Sequence, residues 1–235
     1  MNNYKFPSLL TAVICFLYAG VFAQSVNYSD SWGGQGITLV SEEKSEMSIN
    51  YSLQSFQFDQ VIVDGITMKA IHLPGVFLPN EAGAPDLPVN SRYIAIPQGS
   101  VARIDILSSR TEVMHGIDIA PAPVIPLDSD PNPQEFQKDP DIYSRNAFYP
   151  AEPVILSSPE KIRGIDVVML AVCPFQYNPV TKELIVYRDL QFKITLEGGS
   201  APAQRPLLRR KKGIFPGPLF LPPSQGSGPG NGRSE

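Results

Sequence analysis

Three kinds of side chain in this 235-residue sequence could cut, coordinate or be cut. Cysteine and histidine come first, because a thiol beside an imidazole is an activated nucleophile. The candidates are Cys15, Cys173, His72 and His115. Cys173 falls in the apolar stretch IDVVMLAVCPF at 165–175, a predicted buried strand, where cysteine acts as a small hydrophobe. The two histidines stand apart from any cysteine or carboxylate pattern, so they make no zinc site. Carboxylates come second. Asp128, Asp130, Asp139 and Asp141 cluster, but without the regular spacing and glycine of a calcium loop. No GxSxG, HExxH, GxGxxG or phosphate loop is present. Basic residues come third: Lys138 and Arg145 in a proline-rich stretch, and the run Arg209, Arg210, Lys211, Lys212 in a Gly/Pro-rich tail, where proteolysis is easiest. The expectation is a non-catalytic chain with no metal and no cofactor.

The elements that must position these residues are strands. No window of 11 or more residues shows helical spacing with caps, whereas period-two alternation recurs. Phe56, Phe58 and Val61-Ile62-Val63 lead into Asp64-Gly65, and Ile66, Met68 and Ala70 follow, which is the strongest short hairpin signal. Tyr93–Ile96 and the alternating Ala102, Ile104 and Ile106 predict two more strands. The stretch 165–175 reads as one central strand covered on both faces. Residues 178–182 read as a turn, and Phe192, Ile194 and Leu196 alternate with polar neighbours. The fold class is all-β: an antiparallel β-sandwich, jelly-roll-like, with a long Pro-rich loop over 120–153 and a disordered C-terminal tail.

The ends and the charge bound the rest. Residues 9–23 are an apolar run of 15, short of the roughly 20 that span a bilayer, and close on Val21-Phe22-Ala23. That reads as a secretory signal peptide over 1–23, cut between Ala23 and Gln24, leaving a secreted product with no membrane anchor. The domains expected are 1–23, a folded body over 24–199, and a basic tail over 200–235. The body carries 22 acidic and 12 basic side chains, which argues against nucleic-acid binding. With Cys173 the one cysteine after the signal, an internal disulfide is excluded and a monomer held by its core is expected.

Three stretches lie in a telling order. They are Gly83-Ala84-Pro85-Asp86-Leu87-Pro88-Val89 with Ile94-Ala95-Ile96-Pro97-Gln98-Gly99, then Phe148-Tyr149-Pro150-Ala151-Glu152-Pro153-Val154, and then Arg163-Gly164 through Cys173-Pro174-Phe175-Gln176-Tyr177-Asn178-Pro179 to Leu184-Ile185-Val186-Tyr187. Together they resemble the N-terminal propeptide of the gingipain-like cysteine peptidases, family C25, over roughly residues 30–198.

The resemblance implies a β-sandwich prodomain that aids folding of a peptidase domain and keeps it latent, with that catalytic domain as partner. It also implies a basic residue on a prodomain loop entering the specificity pocket as a substrate mimic. By position and charge Arg145 is the first candidate and Lys138 the second, against the plain alternative of a solvated loop arginine. Residues 209–212 then read as the processing junction. A peptidase domain is expected to follow from about residue 210, where this sequence has low-complexity sequence instead. That suggests a truncated or frameshifted frame, or a free-standing inhibitor. A secreted adhesion or carbohydrate-binding module is the rival reading, with Trp32, Tyr143, Phe148 and Tyr149 as its aromatic platform.

Overall fold

A computed structural model describes residues 24–76, 81–124 and 136–200 of the chain. Twelve strands and one helical turn are present among them. The strands are β1 (Gln24–Asn27), β2 (Gly36–Glu42), β3 (Glu46–Ser52), β4 (Ser55–Val63), β5 (Ile66–His72), β6 (Asn90–Ala95), β7 (Gln98–His115), β8 (Val154–Leu156), β9 (Glu160–Ile162), β10 (Ile165–Val172), β11 (Phe175–Asn178) and β12 (Glu183–Ser200). The turn is α1 (Pro140–Tyr143). Every strand pair is antiparallel, and the fold is the expected all-β sandwich.

Local chemistry explains the turns. Asp64 and Gly65 have φ of 50° and 76°, the left-handed pair that a two-residue hairpin requires, and they join β4 to β5 in register. The β11–β12 turn is held by Asn178, whose Oδ1 accepts from the amides of Val180 (3.1 Å) and Thr181 (3.3 Å). Around Tyr93, the predicted strand runs from Asn90 to Ala95. Pro97 follows it, and Gly99 (φ 76°) lies just inside the next strand.

Three sheets share one core. β1-β4-β5 form a three-stranded sheet, β10 lies between β6 on one side and β8 and β9 on the other, and β12 lies between β7 and a divided edge. Along that edge β11 pairs with residues 183–186 of β12 and β3 with residues 189–195, while β2 extends β3 outward. Ile49, Tyr51, Phe56, Leu170, Phe175, Tyr177, Leu190, Phe192 and Ile194 are fully buried in one cluster drawn from all three sheets. Phe56 meets Phe58 and Phe175 edge to face, with ring centroids 5.2 and 5.1 Å apart.

Two expectations need correction. Residues 165–175 are not one strand. β10 ends at Val172, Cys173 and Pro174 form a joint, and β11 enters a different sheet. β10 is central in its sheet, with Val168, Leu170 and Val172 buried on one face; on the other Val167 is buried, Met169 and Ala171 are half-buried and Ile165 is 46% exposed. Proline at 174, with no N–H to give a ladder, is where the chain changes sheets. The alternation around Ala102 to Ile106 likewise belongs to a strand of 18 residues, which follows β12 along its whole length.

The junction on β12 is bulged. Tyr187 opposes Thr111 and Asp189 opposes Arg110, so Arg188 is an extra residue. Its carbonyl accepts from Leu53 N–H at 2.8 Å as the chain leaves β3. Asp189, fully buried, accepts from Trp32 N–H (2.8 Å), Ser52 Oγ (2.7 Å) and Arg110 Nε (2.9 Å). Arg110 also reaches Asp30 (2.9 Å), which in turn pairs with Arg188, and the Arg188 guanidinium lies 4.4 Å from the centre of the Tyr28 ring. Asp189→Ala removes the acceptor, leaves the buried Ser52 hydroxyl without that partner, and leaves Arg110 with Asp30 alone. The expected loss is about 3 kcal/mol or more of unfolding free energy, measured by urea titration. Asp59→Ala, on an exposed strand position, should change stability by less than about 0.5 kcal/mol.

Candidate functional site: the braced Arg145 loop

The proline-rich connection is not uniformly extended. Ile117 to Ala122 runs beside β5, with Lys69 N–H donating to Asp118 O (2.7 Å) and Ala120 N–H to Lys69 O (2.8 Å). Gly83 to Asp86 lies along its far side, through Asp86 N–H to Ala120 O (2.9 Å), Ala122 N–H to Ala84 O (2.7 Å) and Gly83 N–H to Ala122 O (2.9 Å). Gly83 then grips the returning chain, its carbonyl accepting from Asp139 N–H at 2.9 Å. Its φ is 87°, and a Cβ there would stand 3.1 Å from Gln137 O and 3.3 Å from Asp139 N. Glycine is required on both counts.

From Asp139 the chain turns once and is tied at each step. Asp139 caps α1, its Oδ1 accepting from the amides of Asp141 (2.8 Å) and Ile142 (3.3 Å), and Pro140 opens the turn. Tyr143 is half-buried and donates its hydroxyl proton to Ile119 O at 2.9 Å. Burial, reinforced by nearby Tyr177, Asp118 and Asp86, holds that phenol well above its ordinary range. Asn146 Oδ1 accepts from Asn178 Nδ2 at 2.8 Å. Tyr149 exchanges both backbone hydrogen bonds with Tyr177, at 2.9 and 2.8 Å. Gln176 Nε2 donates to Pro150 O (2.8 Å) and Ala151 O (2.9 Å).

Arg145 sits between these anchors. Its amide donates to Ile142 O (3.2 Å) and its carbonyl accepts from Ala147 N–H (2.9 Å), while its exposed guanidinium makes no hydrogen bond or ion pair with another described residue. Lys138 is placed otherwise: its Nζ lies 5.4 Å from the centre of the Tyr143 ring, and the residue is half-buried. The two basic candidates therefore differ in what they offer a partner. Lys138, Asp139 and Gly83 also line an open polar cleft of about 360 Å³ at the foot of the loop. The anchors Gly83, Tyr143 and Asn178 went unread as parts of this site in the sequence. Only the left-handed bias of glycine and the Asn-Pro pair of a turn pointed to two of them.

The remaining candidates fall into place individually. Cys173 is buried, its Sγ–H pointing to Phe175 O at 3.1 Å, and burial pushes the thiol up to about 12. His72 is exposed at the end of β5, and exposed His115 has its Nδ1 3.3 Å from half-buried Glu183. Among the described residues no group of three or more His, Cys, Asp or Glu is placed to hold a metal. Asp139 and Asp141 belong to the α1 cap, whereas Asp128 and Asp130 lie outside the described residues. Gln24 opens β1 and accepts from Lys69 Nζ at 3.4 Å; Ala23, Arg209, Arg210, Lys211 and Lys212 lie outside the described residues. Of the aromatics in the rival platform, Trp32 is 45% exposed beside Arg110, while Tyr143, Phe148 and Tyr149 are half-buried.

The comparisons agree on one set of relatives. The family model Propeptide_C25 matches residues 29–215. Gingipain R1 of Porphyromonas gingivalis is 30% identical over 183 residues, covering 76% of this chain and 18% of that protein. Lys-gingipain of the same organism is 22% identical over 206 residues, covering 85% and 12%. The chain thus spans less than a quarter of the length of these curated relatives. Among solved structures, the complex of P. gingivalis RgpB pro- and mature domains matches with a TM-score of 0.63 at 24% identity, over 71% of this chain and 90% of that one. A structure describing zymogenic latency of gingipain K from P. gingivalis matches with a TM-score of 0.62 at 19% identity, over 76% and 100%.

Two outcomes follow from this geometry. Gly83→Ala strains the backbone and pushes into Gln137 and Asp139, so it should cost about 1 kcal/mol or more. Limited proteolysis should then cut faster near 137–147 than in the parent, with the sheet regions unchanged. Cys173 has a folded pKa raised above the ordinary value of 9.0 to about 12. The stability that comes from keeping the thiol neutral is complete below pH 9 and lost as pH rises from 9 toward 12. At pH 8 the native thiol should resist a maleimide for hours, and full labelling should appear only in denaturant.

Proposed function

The chain belongs to the propeptide family of the C25 cysteine peptidases, and we propose from that premise that it is a folding aid and latency inhibitor of a gingipain-like catalytic domain. The body over 24–199 is the binding unit in this reading. Residues 1–23 direct export and are removed after Ala23, before Gln24. Arg209, Arg210, Lys211 and Lys212 form the junction where proteolysis ends latency. One observation carries the inhibitory role: an exposed guanidinium, unpaired among the described residues, on a backbone tied down on both sides.

The chemistry is that of a substrate mimic. Arg145 supplies a planar cation able to satisfy an enclosed carboxylate with two parallel hydrogen bonds. Asp139, Tyr143 and Asn146 hold the flanking backbone in place, so little conformational freedom is lost on docking. The same ties oppose the distortion that attack on the peptide would require. Lys138, turned onto the Tyr143 ring, steadies the loop rather than entering the pocket. The RgpB structure, a complex of pro- and mature domains of a similar fold, supports a peptidase as the partner class.

The test is inhibition of a C25 peptidase by the purified chain and its variants. Arg145→Ala should raise the inhibition constant by roughly 30-fold or more, the cost of removing one member of an enclosed charge pair. Lys138→Ala should change it by less than about fivefold. Equal effects of the two substitutions would remove Arg145 from the pocket, and a parent chain without effect at molar excess would end the inhibitor reading.

A further inference from the structure

We infer that β7 is a self-pairing edge, through which two copies of this chain associate about a two-fold axis at Ile104. β7 pairs with β12 alone, and among the described residues no strand is hydrogen-bonded along its other side. A free edge of this length is a template for another strand, and soluble proteins ordinarily blunt such edges with charge or with bulges. This one carries a bulge at Leu107 and the charges of Arg103 and Asp105, with Arg103 Nε 3.3 Å from Glu197 of its own chain. Yet it is also flanked by exposed apolar side chains: Val101 and Leu107 are each 55% exposed and Ile106 is 42% exposed.

The occupant follows from the pattern of residues. Ala102, Ile104 and Ile106 oppose Leu196, Ile194 and Phe192 of β12, so they share the core face of the sheet. Val101, Arg103 and Asp105 oppose Glu197, Thr195 and Lys193 on the solvent face. An antiparallel partner centred on Ile104 sets Arg103 opposite Asp105 of the second copy, and Asp105 opposite its Arg103. On the core face it sets Ala102 opposite Ile106, and Ile104 opposite itself. Both faces match at once, as an isologous contact demands.

Neighbouring frames fail. Centring on Arg103 or on Asp105 puts like charges opposite each other, and a shift of a single residue sets core-facing against solvent-facing side chains. The bulge at Leu107 ends the matched frame on one side, because Ile106 and Ser108 oppose adjacent residues Phe192 and Gln191. The contact is therefore short, and the dimer should be weak and reversible. The monomer expected from composition is the state at low concentration. This association does not depend on the latency reading, since it uses neither Arg145 nor its loop.

Charge reversal tests it with the full purified chain in sedimentation equilibrium. The parent should dimerise with a dissociation constant on the order of 10–100 μM. Arg103→Asp and Asp105→Arg each place two like-charge pairs in the frame and should weaken association about tenfold or more. The double reversal restores both pairs and should return the constant to within about threefold of the parent. All these positions are exposed, and circular dichroism confirms that the single variants stay folded. A parent monomeric up to several hundred micromolar overturns the inference, as happens if the residues after 200 cover the edge. It is equally overturned by a dimer indifferent to the single reversals, by failure of the double reversal to restore it, or by β7 amides that gain exchange protection only when a C25 peptidase is added.

Discussion

β12 has to serve two neighbours in turn, and a buried carboxylate marks where it changes from one to the other. On one edge it follows β7 throughout, while on the other it leaves β11 at Val186 and takes up β3 at Asp189. A strand cannot switch partners without leaving backbone groups unpaired in between. Here the bulge at Arg188 gives its carbonyl to Leu53, and the side chain of Asp189 gathers the donors that the gap exposes. An ionised carboxylate accepting several hydrogen bonds is tolerable inside a protein only when that set is complete. The segment containing Asp30 and Trp32, far away in sequence, completes it. The N-terminal limb, the bulge and the divided edge are thus one solution to one pairing problem.

That frame reaches the Arg145 loop through β11. Gln176 holds the carbonyls of Pro150 and Ala151 and in turn accepts from the Tyr187 hydroxyl at 2.5 Å. Tyr177 pairs with Tyr149, and Asn178 reaches Asn146. Three consecutive residues of one four-residue strand therefore seat the limb that follows Arg145. The limb that precedes it is seated by Gly83 and by Ile119, both on the irregular ribbon beyond β5. The loop is fixed because β11 holds one side of it and the ribbon bridged to β5 holds the other.

What the sequence disclosed was the local part of this structure. Asp64-Gly65 announced a hairpin, since left-handed backbone at two adjacent residues has few solutions in composition. The alternation of Phe192, Ile194 and Leu196 placed the core face of β12 correctly. The stretch 165–175 misled because an apolar run looks the same whether one strand continues or two strands from different sheets meet at a proline. Asp189 was invisible for another reason. Its partners lie 79 to 157 positions away in sequence, and a lone acid in a strand pattern resembles any solvent-facing residue. The family resemblance implied a loop-borne cation, and position and charge put Arg145 before Lys138, but their contacts were not legible in the sequence. Which of two nearby cations is turned onto an aromatic ring depends on side-chain direction, and spacing alone does not encode that.

The distinction between those two cations has a consequence for how a loop of this kind can work. A peptide that presents a cation to a hydrolytic site is ordinarily a substrate, and it is cut when its backbone can follow the attacking group. Here the residues on either side of Arg145 are held by separate elements, the irregular ribbon beside β5 on one side and β11 on the other. Moving the loop toward a cleavable geometry means breaking contacts to both the ribbon and β11, not rotating a free segment. Affinity and resistance to cleavage then have a common origin, because the ties that reduce the entropy lost on docking also raise the energy of the distorted backbone. In the latency reading proposed above, release then calls for loss of the anchors rather than of the loop, and a cut near Arg145 itself would be the slow event. Under this constraint the most economical point of control lies away from the ties that hold Arg145, which is why the reading proposed above puts processing in the Gly/Pro-rich sequence around residues 209–212.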